Sequence, residues 1–181
     1  LIFHELEIPG AFLLEPERVE DRRGFFARTY CRRELEARGL DPTVVQTNIS
    51  VNRERGTVRG MHWQAKPHEE IKLVRCTRGA IFDVILDLRP GSPTYKRHLG
   101  VRLDENNRMA LYVPAGVAHG FQSLEDDAEV FYQMSEFYHP ESARGARWDD
   151  PAFDVEWPLP ISMISERDLS HPPFEDASVE A

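Results

Sequence analysis

Cysteine is scarce in this chain. Cys31 and Cys76, the two present in 181 residues, are too few and too far apart for a disulfide framework or a zinc knuckle. They read as reduced thiols of an intracellular protein. Long apolar runs are missing too. No stretch approaches the roughly 20 residues that a membrane span requires, and the first residues carry no signal-peptide pattern. A soluble, cytoplasmic protein without membrane partners is expected. Basic charge is in deficit: 22 Lys and Arg against 31 Asp and Glu leave a formal net charge of -9. That balance argues against a nucleic-acid partner, but it leaves room for a local basic pocket that holds a phosphorylated small molecule. No repeat, linker or low-complexity tract divides the chain, so residues 1–181 read as one domain large enough to bury a core.

Helical sequence is equally rare. Arg32 to Arg38 contains Glu34, Leu35, Glu36 and Ala37 and stops at Gly39, a C-cap residue; a short helical turn is expected near the C-terminus. Elsewhere the chain reads as about ten short strands punctuated by turns. Phe3–Ile8 and Ala11–Val19 flank Pro9-Gly10, and an aromatic strand follows Gly24 to about Tyr30. Ala80–Leu88 is the most apolar strand, interrupted by Asp83 and Asp87; Tyr95–Leu103, Met109–Val113, Val117–Leu124 and Val130–Tyr138 follow. This spacing predicts an all-β sandwich or barrel of the jelly-roll kind. Val44–Asn52 alternates strictly, with Gln46, Asn48 and Ser50 on one face and Val45, Thr47, Ile49 and Val51 on the other. The polar face suits either solvent or a pocket.

The most informative stretch is Arg59-Gly60-Met61-His62-Trp63-Gln64, a strand carrying a guanidinium, an imidazole and a carboxamide. Strict alternation sends Arg59 and His62 to opposite faces. If both serve one pocket, Gly60 is the place for a bulge that re-aims the chain.

Pro114-x-Gly116-x-x-His119 sets a rigid turn before a histidine and resembles the second motif of cupin jelly rolls. The first cupin motif is broken, because Gln64 stands where a second histidine ligand would be needed. His68, Glu69 and Glu70 read as solvated turn residues. No metal site is therefore expected, since a centre needs three or four converging ligands.

Seven motifs stand in an order similar to that of the dTDP-4-dehydrorhamnose 3,5-epimerase family. They are Asp21-x-Arg23-Gly24-x-Phe26, Gln46-x-Asn48-x-Ser50, Arg59-Gly60-x-His62-x-Gln64, Lys72-Leu73-Val74-Arg75, Pro114-x-Gly116-x-x-His119-Gly120-Phe121, Trp148-Asp149-Asp150-Pro151 and Ser165-Glu166-x-Asp168. The resemblance runs from Phe3 to about Pro172. It implies an all-β, cupin-type double-stranded jelly roll with short peripheral helices, a homodimer with an exchanged N-terminal strand, and no metal or organic cofactor. The implied substrate is a nucleotide-linked 4-keto-6-deoxyhexose such as dTDP-4-keto-6-deoxyglucose, inverted at C3, C5 or both.

That chemistry needs a base for a C–H bond α to a carbonyl, a cation for the enolate oxygen, and an acid on the opposite face. Histidine is the base best poised near neutral pH. The resemblance assigns this role to His62, with Asp168 orienting its imidazole and Asp83 as the fallback carboxylate. Lys72 holds the enolate charge, and Tyr132 returns the proton. Arg23 and Arg59 match pyrophosphate-binding positions, where a guanidinium fork is the best donor, and Arg167 is a third candidate. Gln46 and Asn48 match nucleotide contacts, while His119 and Tyr138 match substrate-pocket residues. Arg28 and Ala143 stand where many family members carry Glu. Rival readings are a single-centre epimerase or 3,4-ketoisomerase, a metal-dependent cupin oxygenase, and a non-catalytic sugar-nucleotide binding module.

Overall fold

A computed structural model of the chain describes residues 1–175. Six strands form one antiparallel sheet in the order β1 (Ile2–Glu5), β2 (Phe12–Glu15), β10 (Ala110–Val113), β7 (Lys72–Arg78), β12 (Ala128–Met134) and β5 (Gln46–Asn52). Five form a second in the order β13 (Ala143–Gly145), β6 (Val58–Gln64), β11 (Val117–Ser123), β8 (Ala80–Asp87) and β9 (His98–Asp104). A separate hairpin pairs β3 (Arg18–Asp21) with β4 (Gly24–Ala27). Two short helices, α1 (Arg32–Glu36) and α2 (Glu166–Leu169), lie at the periphery.

The N-terminal expectation needs correction: Ala11–Val19 is not one strand. Pro16, which has no amide hydrogen to give a ladder, separates β2 from the β3–β4 hairpin. The strand expected to reach Tyr30 ends at Ala27, and the one expected to reach Tyr138 ends at Met134. The predicted helix begins where expected, and Gly39 beyond its end adopts a φ of 70°.

The sheets face each other, and period-two alternation decides what lies between them. Val74 and Cys76 of β7, Leu111 and Val113 of β10 and Val130 of β12 meet Ile81 and Ile85 of β8, Leu103 of β9 and Val117 and Phe121 of β11. The intervening β8 residues Val84 and Leu86 point outward and join Met61, Trp63 and Ala118. Ala146, Phe153, Val155, Trp157 and Phe174 of the C-terminal segment cover that outer layer. Fully burying a side chain such as Phe153 contributes about 1.5–3 kcal/mol, and the partly buried Val155, Trp157 and Phe174 add to the hold on the segment. Its path also bridges Met163 to Thr57 and bonds the Val58 amide to the Met163 carbonyl at 2.9 Å, which delivers α2 to β6.

Gly60 does what the sequence suggested. Its φ is 124°, and the β6–β11 pairing shifts register opposite it, between His119 and Phe121. A Cβ on Gly60 would lie 2.5 Å from the Gly120 Cα, and one on Gly120 would lie 2.8 Å from the Arg59 carbonyl oxygen. Two facing glycines therefore let the backbones approach and the strand change parity. As a result Arg59 and His62 share a face.

Candidate active site

That shared face lines a cavity of about 570 Å³ between the sheets, a size usual for small-ligand sites. His62, Arg59 and His119 come from the five-stranded sheet, while Lys72, Tyr132, Gln46, Asn48 and Ser50 come from the six-stranded sheet. The polar face of β5 is thus the pocket face. Its apolar face is left outside, with Ile49 62% and Val51 49% exposed.

His62 Nε2 lies 2.7 Å from Asp168 Oδ1. Asp168 is buried in α2, its amide donates to the Ser165 N-cap hydroxyl at 3.1 Å, and its Oδ2 accepts from the Gly60 amide at 3.4 Å. Burial alone would raise the Asp168 carboxyl. The His62 hydrogen bond and charge, with Gly60 and Ser165, prevail and hold it below its ordinary value. Asp168 is therefore ionised and fixes the imidazole through Nε2, so Nδ1 is the ring nitrogen left for a substrate. The His62 side chain is 42% exposed, open to whatever occupies the cavity.

Lys72 Nζ lies 2.8 Å from Glu70 Oε1 and donates to the His62 carbonyl at 3.0 Å. This corrects the expectation for Glu70. It is not solvated but buried, with Oε2 accepting from the Gln64 amide at 2.9 Å. An ammonium in so dry a place needs a paired carboxylate, and Glu70 supplies it. Burial raises the Tyr132 phenol above its ordinary value, with nearby Arg59 pulling the other way. The hydroxyl is therefore protonated at neutral pH.

Asp83 does not serve His62. Fully buried on β8, it sits 2.6 Å through Oδ1 from His119 Nε2, so the fallback role as orienting carboxylate is withdrawn. Gln64 is no ligand either. Its amide nitrogen donates to the carbonyls of His68 at 2.9 Å and Phe137 at 3.1 Å, and its oxygen accepts from the His139 amide at 2.6 Å. Arg59 Nε donates to Asn52 Oδ1 at 2.7 Å, which aims its guanidinium along the cavity wall. Tyr138 and Arg167 complete the lining as expected, and Ala143 is there too.

Arg23 is the expected site residue that the chain does not bring to this cavity. It sits at the turn of the β3–β4 hairpin, highly exposed and paired with Asp21. Arg28 is also elsewhere, bonded to Glu34 of α1 at 2.7 Å. Three residues escaped the sequence reading. Glu70 was legible only as a turn residue, and Arg144, on the cavity wall, gave no motif signal. The third, His171, stands behind Asp168, its ring edge-on to His62 at a centroid distance of 6.3 Å. Burial and the neighbouring His62 push its imidazole below the ordinary value.

Comparison with known proteins identifies the family. The family model for dTDP-4-dehydrorhamnose 3,5-epimerase matches residues 5–176. The chain belongs to that family. A dTDP-4-dehydrorhamnose 3,5-epimerase of Sinorhizobium fredii is 41% identical over 173 residues, covering 95% of this chain and 89% of the relative. The dTDP-4-dehydrorhamnose 3,5-epimerase of Bacillus anthracis, solved with TDP and PPi bound, superposes with a TM-score of 0.92 at 38% identity, over 96% of this chain and 99% of that one. The dTDP-6-deoxy-D-glucose-3,5-epimerase of Legionella pneumophila, in complex with dTDP-4-keto-L-rhamnose, gives 0.87 at 34% identity, over 94% and 90%. The 3,5-epimerase family's cupin-type fold is therefore the fold of this chain, and a nucleotide-sugar epimerase is its enzyme class.

Proposed function

We propose that the chain inverts C3 and C5 of a dTDP-linked 4-keto-6-deoxyhexose, with dTDP-4-keto-6-deoxyglucose as substrate. One observation carries this reading: His62 and Tyr132 stand on opposite sheets and face the same cavity. A base and an acid on opposite sides of a sugar ring are what inversion requires. His62 Nδ1 removes the proton from the carbon α to the ketone, the C–H pair becomes the C=C bond, and the carbonyl oxygen becomes an enolate. Lys72 neutralises that oxygen while Glu70 keeps its ammonium in place. Tyr132 then delivers its proton to the opposite face and regains one from water, while His62 releases the captured proton to solvent. Asp168 stabilises the imidazolium in between.

Arg59 and Arg167, joined by Arg144, hold the pyrophosphate, and Gln46 and Asn48 bond the nucleoside. Tyr138 covers the rim, and His119, oriented by Asp83, contacts the sugar. No metal or organic cofactor takes part. The enzyme is a single jelly-roll domain that works in the cytoplasm.

The working unit is a homodimer that exchanges its β3–β4 hairpin, rather than the N-terminal strands, since β1 and β2 pair within the chain's own sheet. Support comes from a stranded apolar surface: Val19 and Phe26 on the β3–β4 hairpin are 67% and 73% exposed, and Ile49 and Val51 lie bare on edge strand β5. A single chain seldom leaves such residues uncovered along a sheet edge. Insertion of the hairpin into a second copy also gives Arg23 a pocket to serve.

Incubation with dTDP-4-keto-6-deoxyglucose in deuterated water tests the reaction. Deuterium at both C3 and C5 is expected. Label at one carbon alone replaces this reading with single-centre epimerisation, and absence of both label and isomerised sugar overturns it.

A further inference from the structure

The dyad has a third member that the reaction does not use. His171 Nε2 is buried without a hydrogen-bond partner and lies 3.9 Å from Asp168 Oδ1, the same oxygen that His62 Nε2 approaches at 2.7 Å. Room for this ring is built into the sheet. Gly145 of β13, which pairs with His62, would carry a Cβ 2.1 Å from His171 Nε2. Any side chain there would expel the imidazole. The fold thus sets two imidazole nitrogens around one carboxylate oxygen, all within 4.8 Å of one another.

The geometry points to a site for a zinc-class divalent cation at His62, Asp168 and His171, and to an epimerase that the cation switches off. Zinc bonds of about 2.0–2.2 Å to nitrogen and oxygen put tetrahedral ligands about 3.3 Å apart. The present separations of 2.7 and 3.9 Å bracket that edge, so small ring rotations suffice. The rings are inclined at 72°, which lets both lone pairs reach one point. A second group of the same kind does not share this property. His68 and His139, beside Glu136, are stacked at 3.5 Å with planes only 8° apart, so their in-plane lone pairs run parallel. In the His62 site, two nitrogens and one oxygen are a borderline-soft set suited to zinc, which takes a fourth ligand from water. Coordination takes the His62 Nε2 lone pair, so the ring proton that Nε2 shares with Asp168 moves to Nδ1. Nδ1, now an N–H, has no lone pair left with which to take the substrate's proton. The inhibitory half of this inference rests on the proposed role of His62; the binding half does not.

Cobalt(II) alone, titrated into the full-length protein, reads the site directly through its visible absorption. One cobalt per chain with the intense bands of a low-coordinate ion is expected. His171→Phe, which keeps a ring beside Gly145 but offers no ligand, should weaken binding by about a hundredfold, and His171→Gln is the second variant should the first fail to fold. His139→Phe should bind as the wild type does. Zinc should stop wild-type epimerisation reversibly to chelator, and the His171 variants should turn over and resist it. A wild-type protein that binds no cobalt, a soluble His171 variant that binds it undiminished, or loss of binding in His139→Phe overturns the site. Binding as described in a protein without epimerase activity would uphold the site and sink the reaction instead.

Discussion

Asp83 and Asp168 each hold one histidine of the same cavity, Asp83 at 2.6 Å from His119 and Asp168 at 2.7 Å from His62. The two histidines face each other across neighbouring strands β6 and β11. The similar pairs differ in access: the His119 side chain is 10% exposed, against 42% for His62. Asp168→Asn should therefore slow exchange of ring hydrogens with solvent by about 10²–10⁴-fold, whereas Asp83→Asn should raise KM and leave exchange at saturation within about tenfold. Equal loss of exchange in both variants would mean that His119 also moves the substrate's protons.

Replacing His62 by Ala should abolish deuterium uptake together with product formation. Tyr132→Phe should behave otherwise, because the enolate still forms against Lys72 and can be reprotonated on its original face. Label should then enter the substrate with little inversion. Were Tyr132→Phe to lose exchange as fully as His62→Ala, its hydroxyl would be an enolate contact and not the acid.

The proposed exchanged dimer makes a complementation test available. Arg23→Ala and His62→Ala homodimers should both be impaired, yet mixing and re-assembling them should create one intact pocket per mixed dimer. Recovery of activity to about a quarter of the wild-type level is expected from statistical pairing. Absence of any recovery in a verified mixed dimer, or a wild type that sediments as a species near 21 kDa, would remove Arg23 from the pyrophosphate site.

Stability at acid pH should report Asp87. Burial alone would raise this carboxyl, but bonds from Arg89, Ser92 and Thr94 hold it at about 2, against an ordinary 3.8. A depressed folded-state value means stabilisation that is complete above about pH 4 and lost as pH falls toward 2, worth about 2 kcal/mol. Urea unfolding of wild type and Asp87→Asn should differ by that amount at neutral pH, with the gap closing toward pH 2. A gap independent of pH would assign the loss to packing of the loop after β8.

Much of this arrangement was legible because it depends on local pattern. Alternation marked β5 and β8, and Gly60 betrayed the change of parity that unites Arg59 with His62. Which face of β5 looked inward was not legible, since amides and hydroxyls serve water and pockets equally well. Glu70 was misread because charge in a turn usually means solvent, and only the fold reveals the ammonium it must match. Asp83, only a fallback partner for His62, holds His119 instead, and the sequence could not show which of two histidines lies across the ladder. His171 was invisible, as its meaning comes from a C-terminal segment folded back onto β6 and from a glycine on another strand.

The Gln64 carboxamide fastens the backbones of His68, Phe137 and His139. The turn before Lys72 and the rim that carries Tyr138 are consequently riveted together. The Gln64 backbone amide also donates to Glu70, the counter-ion of Lys72, so the same residue reaches the floor of the cavity. The mouth and the charge at its floor thus rest on the bonds of one residue.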